Sequence, residues 1–149
     1  MSALGKHQCV CLDTSPFIYF MEENPKYISK VAEIFSEISN GSIFGISSYL
    51  SLLEVLVKPM KDEARDIALQ YRDLMLGSTS LRLYPLDERV AEEAANLRAK
   101  YDGNGFKIKT PDAIQIATGL LNGADVFLTN DSALKKIREI KVMILDEMV

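Results

Sequence analysis

Residues 110–131 read TPDAIQIATGLLNGADVFLTND, and within that stretch a helix starts, a helix stops and a strand follows. Thr110 offers a hydroxyl as helix cap, and Pro111 at the first helical position loses no hydrogen bond, because that N–H would have no partner anyway. The spacing predicts a helix through DAIQIATGLL to Gly123, then the apolar strand DVFLT (125–129). Three apolar residues in a row, Val126, Phe127 and Leu128, before Thr129 suit a short strand in a sheet covered on both faces.

The same alternation extends in both directions. QCVCL (8–12) reads as a buried strand ending at Asp13, and PFIYFM from Pro16 as a short helix broken by Pro25. Val31, Ile34, Phe35 and Ile38 have helical spacing, with Gly41 as the left-handed residue that ends the helix. IFGIS (43–47) is a second strand. Ser47 and Ser48 then cap a helix through SYLSLLEVLVK that is expected to stop before Pro59. Ala64, Ile67, Ala68, Tyr71, Leu74 and Met75 mark an amphipathic helix ending at Gly77, and LRLYP (81–85) is a strand. Val90, Ala94, Leu97 and Tyr101 define a helix capped by Asp87, and DGNGFKIK (102–109) is a loop. A short helix near 132–138 and the strand KVMIL (141–145) complete the chain. Strand–helix alternation, with extra helices after the second strand, predicts an α/β fold: a three-layer α/β/α sandwich with a central, mainly parallel sheet. Ligands of such sheets collect beyond the carboxyl ends of the strands.

The 149 residues, 48% hydrophobic and 26% charged, suit one domain over 1–149 that buries about two-thirds of its unfolded surface. No apolar run approaches the roughly 18 residues of a membrane helix, and MSALGKHQCVCLD holds no signal-peptide core, so a cytoplasmic protein is expected. With 17 Lys and Arg against 21 Asp and Glu, the net charge is −4. That excludes a nucleic-acid binder that works through a broad cationic surface; a polyanionic partner would need local neutralisation. Cys9 and Cys11, two apart in a strand, share a face and are poorly spaced for a disulfide; with His7 as the sole histidine, zinc would lack ligands.

Four acids fall at the predicted carboxyl edge: Asp13, Glu54, Asp112 and Asp131. Each has an ordinary reading. Asp13 caps a helix, Glu54 pairs with Lys58 at i, i+4, Asp112 favours a helix N-terminus, and Asp131 shapes a turn. Glu54 lies in LSLLEVLV with apolar neighbours on all sides, which predicts a buried carboxylate in need of a partner. Together the four say more. Carboxylates about 5 Å apart repel by ~3 kcal/mol per pair at an effective dielectric near 20, so the cluster takes up protons or a cation. Oxygen ligands without Cys or His select Mg²⁺ or Mn²⁺. Three or four monodentate acids leave room for water and phosphate oxygens, the arrangement that phosphodiester hydrolysis uses, and the ion brings an anionic substrate to an acidic protein.

LDTSPFIY with Asp13, Glu54 in its apolar helix, TPDAIQIATGLLNGAD with Asp112, and FLTND with Asp131 together resemble the PIN domain family, which includes the VapC-type toxins of toxin–antitoxin pairs. The resemblance runs from about residue 8 to residue 146. Its most specific parts are PDAIQIAT, the Gly-Ala-Asp turn and the strand ending T-x-D. It implies a PIN-like fold and a metal-dependent ribonuclease leaving 5′-phosphate and 3′-hydroxyl ends. Asp13, Glu54, Asp112 and Asp131 would hold one or two Mg²⁺ or Mn²⁺ ions, with Asp13 and Asp112 as core ligands. Thr14, Ser15 and Thr129 match supporting hydroxyls, while Asn130 falls at a variable position and carries no assigned role. RNA as substrate, a cognate antitoxin and a homodimer are the implied partners. Arg98, Lys100, Lys107 and Lys109 surround the loop before Asp112 and are candidates for RNA phosphates, with solvated charge an equal reading. Tyr101 and Phe106 offer rings for base stacking, although Tyr101 continues an apolar helix face. PFIYFM and the helix around SYLSLL are either core or a groove for a second chain. The rival reading is a catalytically silent module of the same fold that binds RNA or protein.

Overall fold

The computed structural model describes residues 2–149. Its centre is β1 (Cys9–Leu12), paired in parallel with β2 (Phe44–Ser48) on one side and β4 (Val126–Thr129) on the other. β3 (Leu81–Tyr84) and β5 (Lys141–Ile144) form the edges, so the order is β3-β2-β1-β4-β5 and every pairing is parallel. Val10, Cys11 and Leu12 are fully buried because both faces of the strand are covered.

Strand periodicity sorts the core into two layers. Val10, Leu12, Val126 and Leu128 face α1 (Thr14–Met21), α2 (Ile28–Ser39), α3 (Tyr49–Lys61) and α4 (Arg65–Leu76). Cys11, Ile46 and Phe127 face α5 (Glu88–Asp102) and α6 (Thr110–Leu121). This is the three-layer arrangement expected, with the sheet wholly rather than mainly parallel. Cys11 is buried and Cys9 half-buried on the α5–α6 face, both as free thiols. His7 pairs with Asp125 at the amino edge of the sheet, far from the carboxyl ends of the strands.

Several boundaries depart from expectation, each for a local reason. α3 runs through Pro59 to Lys61 rather than stopping before it. So near a helix end the proline forfeits a single hydrogen bond, to Val55, and its ring is buried. α1 begins at Thr14, before Pro16, because Asp13 caps it. The N-cap of α6 is Lys109, not Thr110, which is itself helical and accepts from Arg98 Nη1 at 2.7 Å. Residues 132–138 hold only a 3₁₀ turn, Ser132–Lys136. Glu54 is exposed, not buried: α3 buries Ser51, Val55, Leu56 and Pro59, and turns Tyr49, Leu53, Val57 and Met60 outward. Gly41 takes φ +83° after α2, as the helix stop required. No helix among the described residues is long and apolar enough to cross a membrane.

The chain leaves β1 toward β2 on one side, and the later part of the chain pairs β4 on the other. The carboxyl edge between β1 and β4 is therefore the topological switch point, where the connections diverge and leave a crevice.

Candidate active site

Asp13 ends β1 at that crevice. Its Oδ1 accepts from the Thr14 N–H at 2.8 Å and its Oδ2 from the Thr129 hydroxyl at 2.6 Å. Thr129, fully buried at the end of β4, also accepts from the Asp131 N–H at 3.1 Å, so one hydroxyl ties the first acid to the last. Asp131 itself caps the 3₁₀ turn through Ala133 N–H at 3.0 Å. Across α1, Thr14 Oγ1 donates to Glu54 Oε1 at 2.6 Å. Asp13, Ser15, Tyr19, Thr129, Asn130 and Asp131 line a cleft of about 430 Å³. Ser15 Oγ is buried there without a partner among the described residues.

Asp112, in the first turn of α6, is pushed up to about 6, by burial first and then by the charges of Asp13 and Asp131, with Glu54 adding and Lys109 opposing. Asp13 is also raised, by burial, against the two donors that hold it. The four acids, scattered through the sequence, thus act on one another across a single edge of the sheet. The donor set is entirely oxygen, and its charge exceeds what Lys109 offsets, so its chemistry fits Mg²⁺ or Mn²⁺. In this arrangement, no group of three His, Cys, Asp or Glu side chains among the described residues is close enough to hold one ion. Taking up an ion would require the carboxylates to lie closer together, and among the described residues Asp112 is the one acid of the four with no hydrogen-bond donor on its carboxylate.

The basic candidates separate. Lys109 acts on Asp112 directly, and Lys107 lies beside Arg98 and Asp102 in a shallow hollow. Lys100 pairs with Glu139 at 2.7 Å, on the corner where Tyr101 donates to the same carboxylate. Tyr101 is buried and meets Phe106 edge-on at 6.1 Å between centroids, so both rings belong to packing. Arg98 spans α5 and the loop, donating through Nε to the Ile108 carbonyl at 3.0 Å and through Nη1 to Thr110. Arg98→Ala is therefore expected to cost about 1–2 kcal/mol of stability and to leave unchanged the salt dependence of any binding to a single-stranded nucleic acid. Lys109→Ala is expected to reduce the slope of log K against log salt by about 0.7, the signature of one lost phosphate contact on a single strand. A slope change in Arg98→Ala would reverse that assignment.

Sequence reading missed two groups. Ser51 and Gln115 are buried beneath Glu54 and bonded to each other; the available signal was a polar residue three positions from each acid on its own helix face. Asn130 was left without a role, yet its carboxamide donates to the Tyr19 and Tyr27 hydroxyls at 3.2 and 3.0 Å and accepts from Asp146 N–H at 2.9 Å. It anchors the strand end that carries Asp131 to the stacked Tyr19–Tyr27 pair, whose centroids are 4.2 Å apart.

Solved structures share this architecture at low sequence identity. VapBC2 from Rickettsia felis, bound to a DNA fragment from its promoter, superposes with a TM-score of 0.71 at 17% identity, over 92% of this chain and 98% of that one. FitAcB from Neisseria gonorrhoeae gives 0.67 at 19%, covering 93% and 98%. A toxin–antitoxin complex from Klebsiella pneumoniae gives 0.66 at 18%, also covering 93% and 98%. A search of curated proteins by sequence finds no match. The PIN domain model matches residues 10–140, a span that contains all four acids and most of the chain, and the chain belongs to the PIN domain family.

Proposed function

We propose that this chain is a metal-dependent endoribonuclease, with residues 1–149 as one nuclease domain and the toxin half of a toxin–antitoxin pair as its role. The observation that carries the reading is the gathering of four acids at one sheet edge, where burial first and then the neighbouring carboxylates push Asp112 up to about 6. Repelling carboxylates in a crevice are costly to keep unless they meet a cation. A bound Mg²⁺ or Mn²⁺ supplies neutralisation of the phosphodiester charge and lowers the pKa of water in the cleft.

The protein's own groups divide the remaining work. Asp13 is preorganised by its two donors and would hold the ion without rearranging. Asp112, Glu54 and Asp131 would complete the ligand set with Asp13. Thr129 and Thr14 hold Asp13 and Glu54 by their hydroxyls, and Ser15 contributes a buried hydroxyl behind the cleft. Lys109 holds a flanking phosphate. Support for a protein partner, an antitoxin or a second copy in a homodimer, comes from the row Tyr49, Leu53, Val57 and Met60 exposed along α3. A cytoplasmic location goes with this role.

The alternative, a PIN-fold module that binds without cleaving, is favoured by one observation: three carboxylates do not yet converge on a common ion position. Digestion of total RNA by the purified protein, with Mg²⁺ or Mn²⁺ and with EDTA, separates the two. Cleavage abolished by EDTA and by Asp112→Asn is expected, with single-stranded DNA cut poorly in parallel. Binding with no cleavage under any ion establishes the module, and cleavage indifferent to EDTA overturns the metal reading. Mn²⁺ at 100 times its Kd is also expected to add about 2.7 kcal/mol of stability, a rise of about 5–10 °C in Tm.

A further inference from the structure

α1, α3 and α6 meet at a polar junction directly beneath Glu54. Gln115 is 1% exposed and Ser51 0%. Gln115 Nε2 bonds Ser51 Oγ and lies 3.5 Å from Thr14 Oγ1. Ser51 Oγ and Thr14 Oγ1 are 3.0 Å apart, and Thr14 Oγ1 is 2.6 Å from Glu54 Oε1.

The proton inventory gives this chain a direction. An ionised carboxylate only accepts, so Thr14 commits its single hydroxyl proton to Glu54. The bond between the two hydroxyls then takes its proton from Ser51, and Ser51 accepts from the carboxamide. Turning the carboxamide over would draw the Ser51 proton to Gln115 Oε1 and leave two oxygens 3.0 Å apart with no proton between them. With the orientation found, every bond points toward Glu54. The cost is visible at the far end, where Gln115 Oε1 is buried with no partner. A side chain kept only to fill this space would be apolar, because an orphaned carbonyl loses its hydration and gains nothing.

We propose that Gln115 and Ser51 are positioning residues that act through Thr14 on Glu54. Their aligned donors hold an otherwise exposed glutamate in one orientation at the carboxyl edge of the sheet, and so set the affinity of the site for its divalent ion. The inference rests on the metal-dependent reading above. A glutamate on a solvent-facing helix surface samples several rotamers, and fixing it in advance removes that ordering from the free energy of ion binding.

The test is a mutant cycle on the full chain, using Mn²⁺ alone as the probe in calorimetry, alongside kcat and KM on RNA and urea unfolding. Gln115→Met is expected to weaken Mn²⁺ binding about 10-fold and to lower kcat more than it raises KM, with the unfolding midpoint nearly unchanged. Ser51→Ala, a smaller change, is expected to do the same and serves if Gln115→Met folds poorly. In a Glu54→Gln background neither substitution is expected to weaken Mn²⁺ binding further, because the group they act on is gone. An equal loss in both backgrounds, or unchanged Mn²⁺ affinity in both variants, overturns the proposal while leaving the nuclease reading intact. A wild-type chain that binds no Mn²⁺ overturns both.

Discussion

Asp112→Asn is expected to lower RNA cleavage at least about 100-fold while raising the stability of the metal-free protein. The two effects share a cause. Burial and the charges of Asp13 and Asp131 hold the Asp112 carboxyl at about 6, against an ordinary 3.8, so ionising it at neutral pH works against the fold. A raised value means that the group favours the folded state fully below pH 3.8 and that this contribution is lost as pH climbs to about 6. Asparagine keeps the shape and removes the charge. Against this stands a favourable interaction of about 0.3–1 kcal/mol between an acid and the N-terminus of α6. The net gain is about 2 kcal/mol at pH 7.5, or about 4–8 °C in Tm. The difference between variant and wild type is expected to open between pH 4 and 7 and to vanish at more acid pH. Saturating Mn²⁺ is expected to reverse the order, since the ion stabilises only the carboxylate site. Loss of activity together with a lower Tm in EDTA would mean that Asp112 is a structural acid.

Strands buried on both faces were easy to recognise, because QCVCL and VFLT leave no polar alternation to confuse them with surface elements. The acids were legible for a related reason. Asp13 and Asp131 follow strand ends, and Asp112 follows a Thr-Pro helix start, so topology alone sends them to one edge. The order of the strands was not legible, since nothing local says that β1 lies between β2 and β4. Glu54 misled in the opposite sense. Apolar neighbours suggested burial, but Leu53 and Val57 are themselves exposed, and a helix with two apolar faces hides which one meets the sheet. Arg98 and Lys100 look like phosphate ligands in sequence because charge carries no address. Their partners, the Ile108 carbonyl and Glu139, come from backbone and loop positions that only the fold brings near. The Gln115–Ser51–Thr14 chain was hidden for the same reason, its members lying on three helices.

Gly119→Ala is expected to damage both the fold and the site, although alanine is the better helix former by about 1 kcal/mol. A Cβ at Gly119 would lie 2.8 Å from Cys11 Cβ and 3.0 Å from its sulfur. Cys11 is fully buried on the central strand, paired to Ile46 on one side and Phe127 on the other, so β1 is not free to yield. α6 must move instead. Overpacking of this kind costs about 1–3 kcal/mol, and the net loss is expected to appear as a Tm lower by several degrees. The functional loss is expected to be larger than the stability loss, because the same helix carries Asp112 at its first turn and Gln115 against the Thr14–Ser51 pair. A displacement of about 1 Å there lowers the rate by about 10- to 100-fold, measured well below the Tm so that unfolding contributes nothing. Cys11→Ala is not expected to rescue Gly119→Ala, since it retains the Cβ that clashes, whereas Cys11→Gly removes it and is expected to restore cleavage in part. Full activity in Gly119→Ala would show that α6 tolerates the shift and that the close approach of α6 to β1 does not set the position of the acids.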